Sequence, residues 1–393
     1  MNAGVIRAMY GKEMLEIFRD RRTLISMVLV PLLVMPLILL AMGKYMASAR
    51  RQSEAEASKI GFREGALAPD LAARLKGSGL ELAVVGDLRK AVEDKTAAAT
   101  IEATTSPSGQ RQIRIYTDRT RQASQLAGEK LRGLLTDFKD ETVKASLRDS
   151  GLSEKLLTPF VIERVNVAAQ RKMAGFLWGS VLGYVVLLLM FSGGMYPAID
   201  MTAGEKERRT LEALLASPAG RGEIVVAKIL AVLTAILVTA ALTVISMAYA
   251  MKSGGFGSSS KEFQEMLGTI PLDAPTLGLL LATLLPLSIM AASLMIAIAL
   301  FARSFKEGQS YLTPLMMLVV FPAVLGVLPG MELTPAMALI PIFNASQLMR
   351  GILQGEFSHT VLAVTIGANL VYALAAFIFA TRLFRNESVL FRS

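Results

Sequence analysis

Long apolar segments dominate this chain and limit what it can fold into. Crossing the hydrocarbon core of a bilayer as a helix takes about 20 apolar residues. Six stretches reach that length, at residues 24–43, 174–199, 223–250, 275–302, 309–329 and 359–383. Only 19% of the residues are charged, whereas soluble domains carry about 25%. We therefore predict a membrane all-α bundle of six transmembrane helices.

Missing residue types exclude several kinds of chemistry. The chain has no cysteine and a single histidine, His359. Disulfides, zinc–thiolate sites and cysteine nucleophiles are therefore excluded, and so are histidine-rich metal sites. The net charge of +9 is assigned to the flanks of the spans, because the basic stripes and interleaved aromatic residues of nucleic-acid-binding proteins are absent from the sequence. We expect no catalytic residue, no metal site and no nucleic-acid partner.

Basic residues mark one side of the predicted bundle. They precede the first span, fill the loop after the second, flank the turn after the fourth and close the chain: Arg19, Arg21, Arg22, Lys206, Arg208, Arg209, Arg303, Lys306, Arg382 and Arg385. Because cytoplasmic loops carry the excess of lysine and arginine, both termini are predicted to lie in the cytoplasm, with the chain in the cell inner (plasma) membrane. The first span is interpreted as an uncleaved anchor. A signal peptide cleaved near residues 47–49 is the alternative.

A large soluble insertion follows the first span, at residues 44–173. It holds 23 basic and 17 acidic residues, and long domains translocate largely regardless of charge. Alternating apolar residues predict strands near 81–86, 98–103, 111–116 and 160–167, with helices over 68–76, 87–95 and 119–148. We predict an extracytoplasmic α+β domain inserted between transmembrane helices 1 and 2. Because its sequence has no phosphate-binding loop and no metal cluster, an interaction role is favoured over catalysis.

Two further segments are predicted to contact the membrane without crossing it. Residues 1–22 form an interface helix, with Glu13 interrupting an apolar side, or else a basic leader. Residues 330–357 are apolar but broken by prolines, and they fit an outer hairpin that protein covers. The remaining bounds are 23–43 for the first span and 174–393 for spans two to six.

The loop between the second and third spans has the clearest local pattern. Thr202 and Glu205 have the spacing of a capping box, which begins a helix, and Pro218 ends it. Opposite charges four residues apart and a leucine stripe support that helix: Glu205–Arg209, Arg208–Glu212, Leu211, Leu214 and Leu215. The pattern predicts a cytoplasmic amphipathic helix over 202–217. It either docks a partner or serves only to stabilise a topology-setting loop.

This loop resembles the coupling-helix signature of type 2 ABC exporter permeases. The resemblance lies in the run EKERRTLEALLASPAGRGEIVVAK, residues 205–228. Residues 12–23, followed by Pro31 and Pro36, resemble the interface helix and first span of that family. Residues 303–314, with Asn344 and Gly351, resemble its sodium-exporting NatB branch. The resemblance covers the membrane parts from end to end.

The resemblance implies that a separate ABC ATPase subunit drives the chain. In this family the coupling helix lies in a cleft of the ATPase, whose closure switches the bundle between inward- and outward-facing states. The residues implied to contact the ATPase are Glu205, Glu207, Arg208, Thr210, Leu211, Glu212 and Leu215. The sequence has no GxxxxGK[ST] motif, so the partner would bind ATP and Mg²⁺ and this chain no cofactor. Six spans form half a transporter, which implies a second permease copy or a paralogue, in contact with membrane lipid.

The cargo is the least constrained feature. Charged residues inside spans usually mark ion or substrate paths, and the predicted span interiors contain almost none. Gln309, Tyr311 and Asn344 are candidate path residues, although such groups more often pack helices together. Sodium export follows from the resemblance alone, and an apolar path also suits a hydrophobic or amphipathic compound such as a drug, lipid or peptide. A secondary transporter and a membrane-anchored receptor or scaffold are the competing classes.

Overall fold

The computed structural model describes residues 2–63, 69–105, 111–151, 170–252, 273–325 and 333–387. The chain divides into two compact units. One comprises Met1–Gly43 and Val167–Ser393, and the other comprises Lys44–Asn166. The second unit corresponds to the predicted insertion at 44–173.

The described residues of the first unit form helices joined by turns and short irregular segments. It begins with α1 (Ala3–Arg19), α2 (Arg21–Leu24), a π-helical stretch (Ile25–Val34) and α3 (Met35–Glu56), which runs on into the second unit. Pro31 lies inside the π-helical stretch. Proline has no N–H to donate and crowds the preceding turn, and the wider π-helical turn accommodates it.

The remaining helices of the first unit come after the second unit along the chain. They are α7 (Gln170–Ile199), a π-helical turn (Asp200–Gly204), α8 (Glu205–Glu207), α9 (Thr210–Leu215), α10 (Arg221–Lys252), α11 (Ala274–Ala299), α12 (Phe305–Leu325), a 3₁₀ turn (Met337–Leu339), α13 (Phe343–Gln354) and α14 (His359–Arg385). Their buried aliphatic side chains form one core, drawn mainly from α7, α10, α11 and α13.

Five of the predicted spans coincide with helices long and apolar enough to cross a membrane. Within the described residues these are Arg21–Ile38, Gly179–Glu207, Arg221–Ala250, Ala274–Ala299 and His359–Arg385. The predicted span at 309–329 falls on α12, which is 21 residues long and contains Pro314 and Pro322. It is not among the five, so the sixth span stays a prediction.

Close packing in this unit depends on small residues. A Cβ atom on Gly193 of α7 would lie 2.2 Å from Thr239 Oγ1 of α10. That separation is far below any van der Waals contact, so only glycine permits the two helices to approach this closely.

The predicted hairpin region contains a buried helix. Ile342 precedes α13 at φ 72°, and Phe343 N donates to Pro341 O at 2.8 Å, which forms a γ-turn. Asn344 is fully buried. Its Nδ2 donates to Ala338 O at 2.8 Å and to Asn369 Oδ1 at 3.1 Å. These bonds satisfy an amide that would otherwise be costly to bury.

The second unit is an α+β domain. Its strands are β1 (Lys59–Phe62), β2 (Glu81–Val84), β3 (Ala99–Thr105) and β4 (Arg111–Thr117), in the order β2-β1-β3-β4. β1 is parallel to β2 and β3, whereas β3 and β4 are antiparallel. The parallel pairs need crossover connections, which α4 (Pro69–Gly77) and α5 (Leu88–Glu93) supply.

A long helix completes this domain. α6 (Gln122–Asp149) contributes Ala127 and Leu131 to a core that contains Ile60 and Ile101 of the sheet. The predicted strands at 81–86, 98–103 and 111–116 are confirmed, and so are the three predicted helices. The predicted strand at 160–167 lies outside the described residues.

Candidate coupling site

The four segments predicted to face the cytoplasm meet at one end of the first unit. Lys12 Nζ of α1 lies 2.7 Å from Glu205 Oε1 in the loop after α7. Phe305 N at the start of α12 donates to Glu207 Oε2 at 2.8 Å. Arg221 Nη2 lies 2.7 Å from Glu387 Oε1 in the C-terminal segment. The basic leader, the loop, the turn and the C-terminal segment as far as Glu387 therefore share one end of the bundle.

The predicted continuous helix over 202–217 is wrong. α7 continues through the π-helical turn into α8, so no helix begins at Thr202. Its Oγ1 donates to Ala198 O at 2.6 Å, one turn back in the same helix, and the capping-box prediction therefore fails. The break comes at Arg209, which adopts φ 59° in the left-handed region and separates α8 from α9.

The two predicted charge pairs within the loop are also wrong. Glu205 bonds to Lys12 and Lys228 instead of Arg209. Arg208 Nη1 donates to Asp200 Oδ1 at 2.7 Å instead of pairing with Glu212. This hydrogen bond to Asp200 is the main cause that raises the pKa of Arg208. The left-handed residue at 209 explains both failures, because it destroys the i,i+4 spacing that such pairs require.

The three consecutive charged residues of α8 bind different helices, and we call residues 205–207 the junction. Glu205 binds Lys12 of α1 and Lys228 of α10. Lys206 Nζ donates to Leu300 O at the end of α11. Glu207 accepts from Phe305 N at the start of α12. A cation at a helix C-terminus and an anion at an N-terminus both complement the helix dipole.

The junction includes part of a buried ion cluster, which comprises Lys12, Glu13, Glu205 and Lys228. Lys228 Nζ lies 2.8 Å from Glu13 Oε1 and 2.8 Å from Glu205 Oε2. Lys228 is 0% exposed, and Glu13 and Glu205 are each 1% exposed. The second oxygen of Glu13, Oε2, has no hydrogen-bond partner. Buried charges persist only when they are paired in this way.

Burial and neighbouring charge act in opposite directions on the ionisable groups of the cluster. Burial, which disfavours the charged carboxylate, raises the pKa of Glu13 despite the nearby Lys228. Burial also tends to lower the pKa of Lys12, but the attraction of Glu205 and Glu13 outweighs it and raises that pKa above its ordinary value. Burial therefore determines the direction of the pKa shift for Glu13, whereas the neighbouring carboxylates determine it for Lys12.

The carboxylates of Glu13, Glu16 and Glu205 lie close enough to hold a metal ion, with one oxygen of each within 4.8 Å of the others. Lys12 Nζ already lies among them, at 3.3, 3.2 and 2.7 Å from their oxygens. The ammonium group of Lys12 therefore occupies the position in which a metal ion would lie.

The predicted ATPase contacts divide into two groups. Glu205 and Leu211 are buried, at 1% and 3% exposure, and Leu215 is half-buried. Glu207, Arg208, Thr210 and Glu212 are exposed. We define the rim as the exposed residues on and around α9: Arg208, Arg209, Thr210, Glu212 and Ala213. Arg209 and Ala213 were not among the predicted contacts.

The candidate path residues lie in two environments. Tyr311 is exposed, and its hydroxyl donates to Glu307 Oε1 at 2.5 Å; Gln309 lies half-buried on the same helix. Tyr311 also lines an open groove of about 520 Å³ between α11 and α12, with Ile298, Phe301 and Leu315. Asn344 is instead enclosed between α13 and α14.

Sequence reasoning missed the ion cluster, although two signals pointed to it. Glu13 interrupts the apolar side of α1, and Lys228 interrupts an apolar run in α10. A charged residue in apolar surroundings is stable only when it is paired with an opposite charge. Glu13 and Lys228 together therefore predict an ion pair. The pattern does not say which carboxylate meets which lysine.

Comparison with known proteins agrees with this architecture. The family of ABC-2 family transporter proteins matches residues 7–389, so the chain belongs to the ABC-2 transporter family. It is a multi-pass membrane subunit of a transporter, an ABC exporter permease and not itself an enzyme, and the family implies an ABC ATPase partner.

Among individual proteins, the ABC transporter permease protein NatB of Bacillus subtilis (strain 168) is similar. It is 26% identical over 387 residues, which covers 96% of this chain and 97% of that protein. No solved structure matches this chain.

Proposed function

We propose that this chain is the membrane half of an ATP-driven exporter in which two permease copies and two ATPase subunits form the working unit. The observation that carries the proposal is the position of the rim. It is exposed, while the junction beside it binds α1, α10, α11 and α12. A push on the rim therefore reaches four helices through side-chain contacts.

The rim and both termini lie in the cytoplasm in this proposal, and the chain lies in the inner membrane. Support comes from the four basic segments, which share one end of the bundle, as the positive-inside rule requires. The second unit, which follows the first span, then lies on the outer side. Membrane lipid surrounds the exposed apolar faces.

Six crossings also follow from this placement. α12 begins at the junction end, beside Glu207. α14 finishes at that end, where Arg221 Nη1 donates to Arg385 O at 3.2 Å. These two positions support a sixth crossing between them, which we assign to α12. The 21 residues of α12 span about 31 Å, which matches a hydrocarbon core of about 30 Å.

Docking is tested by co-purification of the chain with its ABC ATPase. Glu212→Arg reverses an exposed charge on the rim without disturbing the buried junction. We expect it to abolish capture of the ATPase. Lys144→Glu is the matched control, because it reverses an exposed charge on α6 of the second unit. If Glu212→Arg and Arg209→Glu both retained full capture and full ATP turnover, the rim would not be the docking surface.

Sodium is the cargo that we propose, on the strength of the resemblance to the NatB branch. Vesicles that contain the permease–ATPase complex, with the ATPase facing the medium, should accumulate sodium when ATP is added. The open apolar groove beside Tyr311 favours a hydrophobic compound as the second candidate. Flat sodium uptake together with ATP-dependent movement of a fluorescent amphipathic compound would select that alternative. Movement driven by an ion gradient without the ATPase would instead indicate a secondary transporter.

A further inference from the structure

We propose that the buried ion cluster locks α1 and α10 to the loop that carries the rim, so that these three segments move as one body when the ATPase acts on the rim. Lys12, Glu13, Glu205 and Lys228 are then positioning residues that act through the loop. This inference rests on the proposed function, because it assigns a mechanical role within the ATP-driven cycle.

The geometry of the cluster joins three separate segments of the chain. Lys228 belongs to α10, Glu13 to α1 and Glu205 to the junction. The ammonium group of Lys228 lies 2.8 Å from a carboxylate oxygen of each of the other two. Lys12 closes the arrangement from the side of α1, at 2.7 Å from Glu205. No two of the three segments can separate without breaking a charged contact.

α1 also contacts α10 on both sides of Lys228 along α10. Asn2 N donates to Glu223 Oε1 at 2.5 Å near the start of both helices. Tyr10 OH and Thr234 Oγ1 lie 3.0 Å apart further along α10. With Glu13 and Lys228, this gives three polar contacts along one pair of helices. Contacts at three positions along α10 oppose rotation of α1 on that helix.

The difference in burial identifies the contacts that can open. Separating the cluster would leave charges unpaired away from water, which is strongly unfavourable. The contact between Glu207 and the start of α12 is exposed, and water replaces exposed hydrogen bonds at small cost. The structure therefore assigns α1, the loop and α10 to one body, with the hinge towards α12.

The test measures distances in the complete permease–ATPase complex. The chain has no cysteine, so introduced cysteines can be spin-labelled without other changes. The pair Ala8→Cys and Ala216→Cys lies within the proposed body, on exposed positions of α1 and the loop. The pair Ala216→Cys and Lys306→Cys crosses the hinge to α12. Pulsed electron paramagnetic resonance then compares the nucleotide-free and ATP-trapped states.

In the otherwise native complex we expect the first distance to stay constant and the second to shift when ATP is trapped. Lys228→Met should broaden the first distance distribution and make it depend on nucleotide. It should also retain ATP hydrolysis while cargo movement is lost. Glu387→Gln is the matched control, because it removes a charged contact of α10 whose carboxylate is 70% exposed; it should leave the first distance unchanged.

Two outcomes separate the inference from the function on which it rests. If the ATPase assembles with the chain but the first distance in the native complex shifts with nucleotide, the single-body inference is wrong while the exporter remains. If the ATPase does not assemble at all, the proposed function fails. If Lys228→Met does not fold, Glu205→Gln weakens the same contact more mildly. The distances in the native complex alone still test whether the three segments move as one body.

Discussion

Replacement of Lys228 by methionine tests the energetic role of the ion cluster directly. Methionine has a similar length, so packing changes little, whereas the ammonium group between Glu13 and Glu205 is lost. Both carboxylates are 1% exposed, and each then loses a partner that lies 2.8 Å away. Glu205 keeps Lys12 at 2.7 Å. Glu13 keeps only the longer 3.3 Å contact with the same lysine.

The expected cost follows from the burial of the pair. Removing one partner of a buried ion pair costs about 3–5 kcal/mol. At about 1.4 kcal/mol per factor of ten, the unfolding equilibrium constant rises by roughly two to four orders of magnitude. An exposed pair contributes only about 0–1 kcal/mol, so Arg221→Met, which breaks the exposed contact with Glu387, should have little effect.

These differences in stability are measured by unfolding the purified chain in mixed micelles. The fraction of denaturing detergent is raised, and unfolding is monitored as the loss of helical circular dichroism. The double variant Lys228→Met with Glu13→Met should be more stable than Lys228→Met alone, because replacing both members of a buried pair by apolar residues is often nearly neutral. The reasoning is refuted if Lys228→Met destabilises the chain no more than Arg221→Met, or if the double variant is the less stable of the two.

Three further predictions concern packing, hydrogen bonding and pH. Gly193→Ala should destabilise the chain by about 1–3 kcal/mol through overpacking, whereas Gly278→Ala, which meets nothing within 4 Å, should stabilise it by about 0.4–1 kcal/mol; equal effects in the same unfolding assay would contradict the packing argument. Asn369→Leu should cost about 1–3 kcal/mol, because the buried Asn344 loses a partner, and an unchanged unfolding midpoint would show that this contact is unimportant. The folded state raises the pKa of Glu13 above 4.5, so it binds this proton more tightly than the unfolded state does. The contribution of Glu13 to stability therefore falls as the pH rises from 4.5 through the folded pKa. Glu13→Gln should remove this pH dependence of stability from melting curves, and a persistent pH dependence would assign it to another group.

The architecture could be predicted from the sequence wherever local pattern determines it. Apolar runs of about 20 residues specify five spans by length alone. Alternation specified β2, β3 and β4, because side chains on a strand point to opposite faces in turn. Whether α12 crosses the membrane was harder to predict, because Pro314 and Pro322 interrupt it. That assignment depends on where the neighbouring helices end.

The site could be predicted only in part, because its partners are far apart along the chain. The Thr202–Glu205 spacing suggested a cap, but Glu205 binds residues 193 and 23 positions away. A local motif cannot compete with a buried ammonium group for a carboxylate, because charge pairing is stronger where water is excluded. The left-handed turn at Arg209 also had no sequence signal, since glycine or asparagine normally takes such positions.

The charged residues of the loop fall into two groups, one buried and one exposed. The resemblance implies that charges fix the register with the ATPase and that leucines transmit its push. In the structure, Glu205 faces inward with Leu211, so charge and apolar packing both join the loop to the bundle. Arg209 and Glu212 remain on the outer surface. Leu211 and Glu212 are neighbours on α9, so one side of this helix packs on the bundle while its other side carries an exposed charge of the rim. In the proposed function, recognition of the ATPase and transmission of its push therefore use opposite sides of one loop.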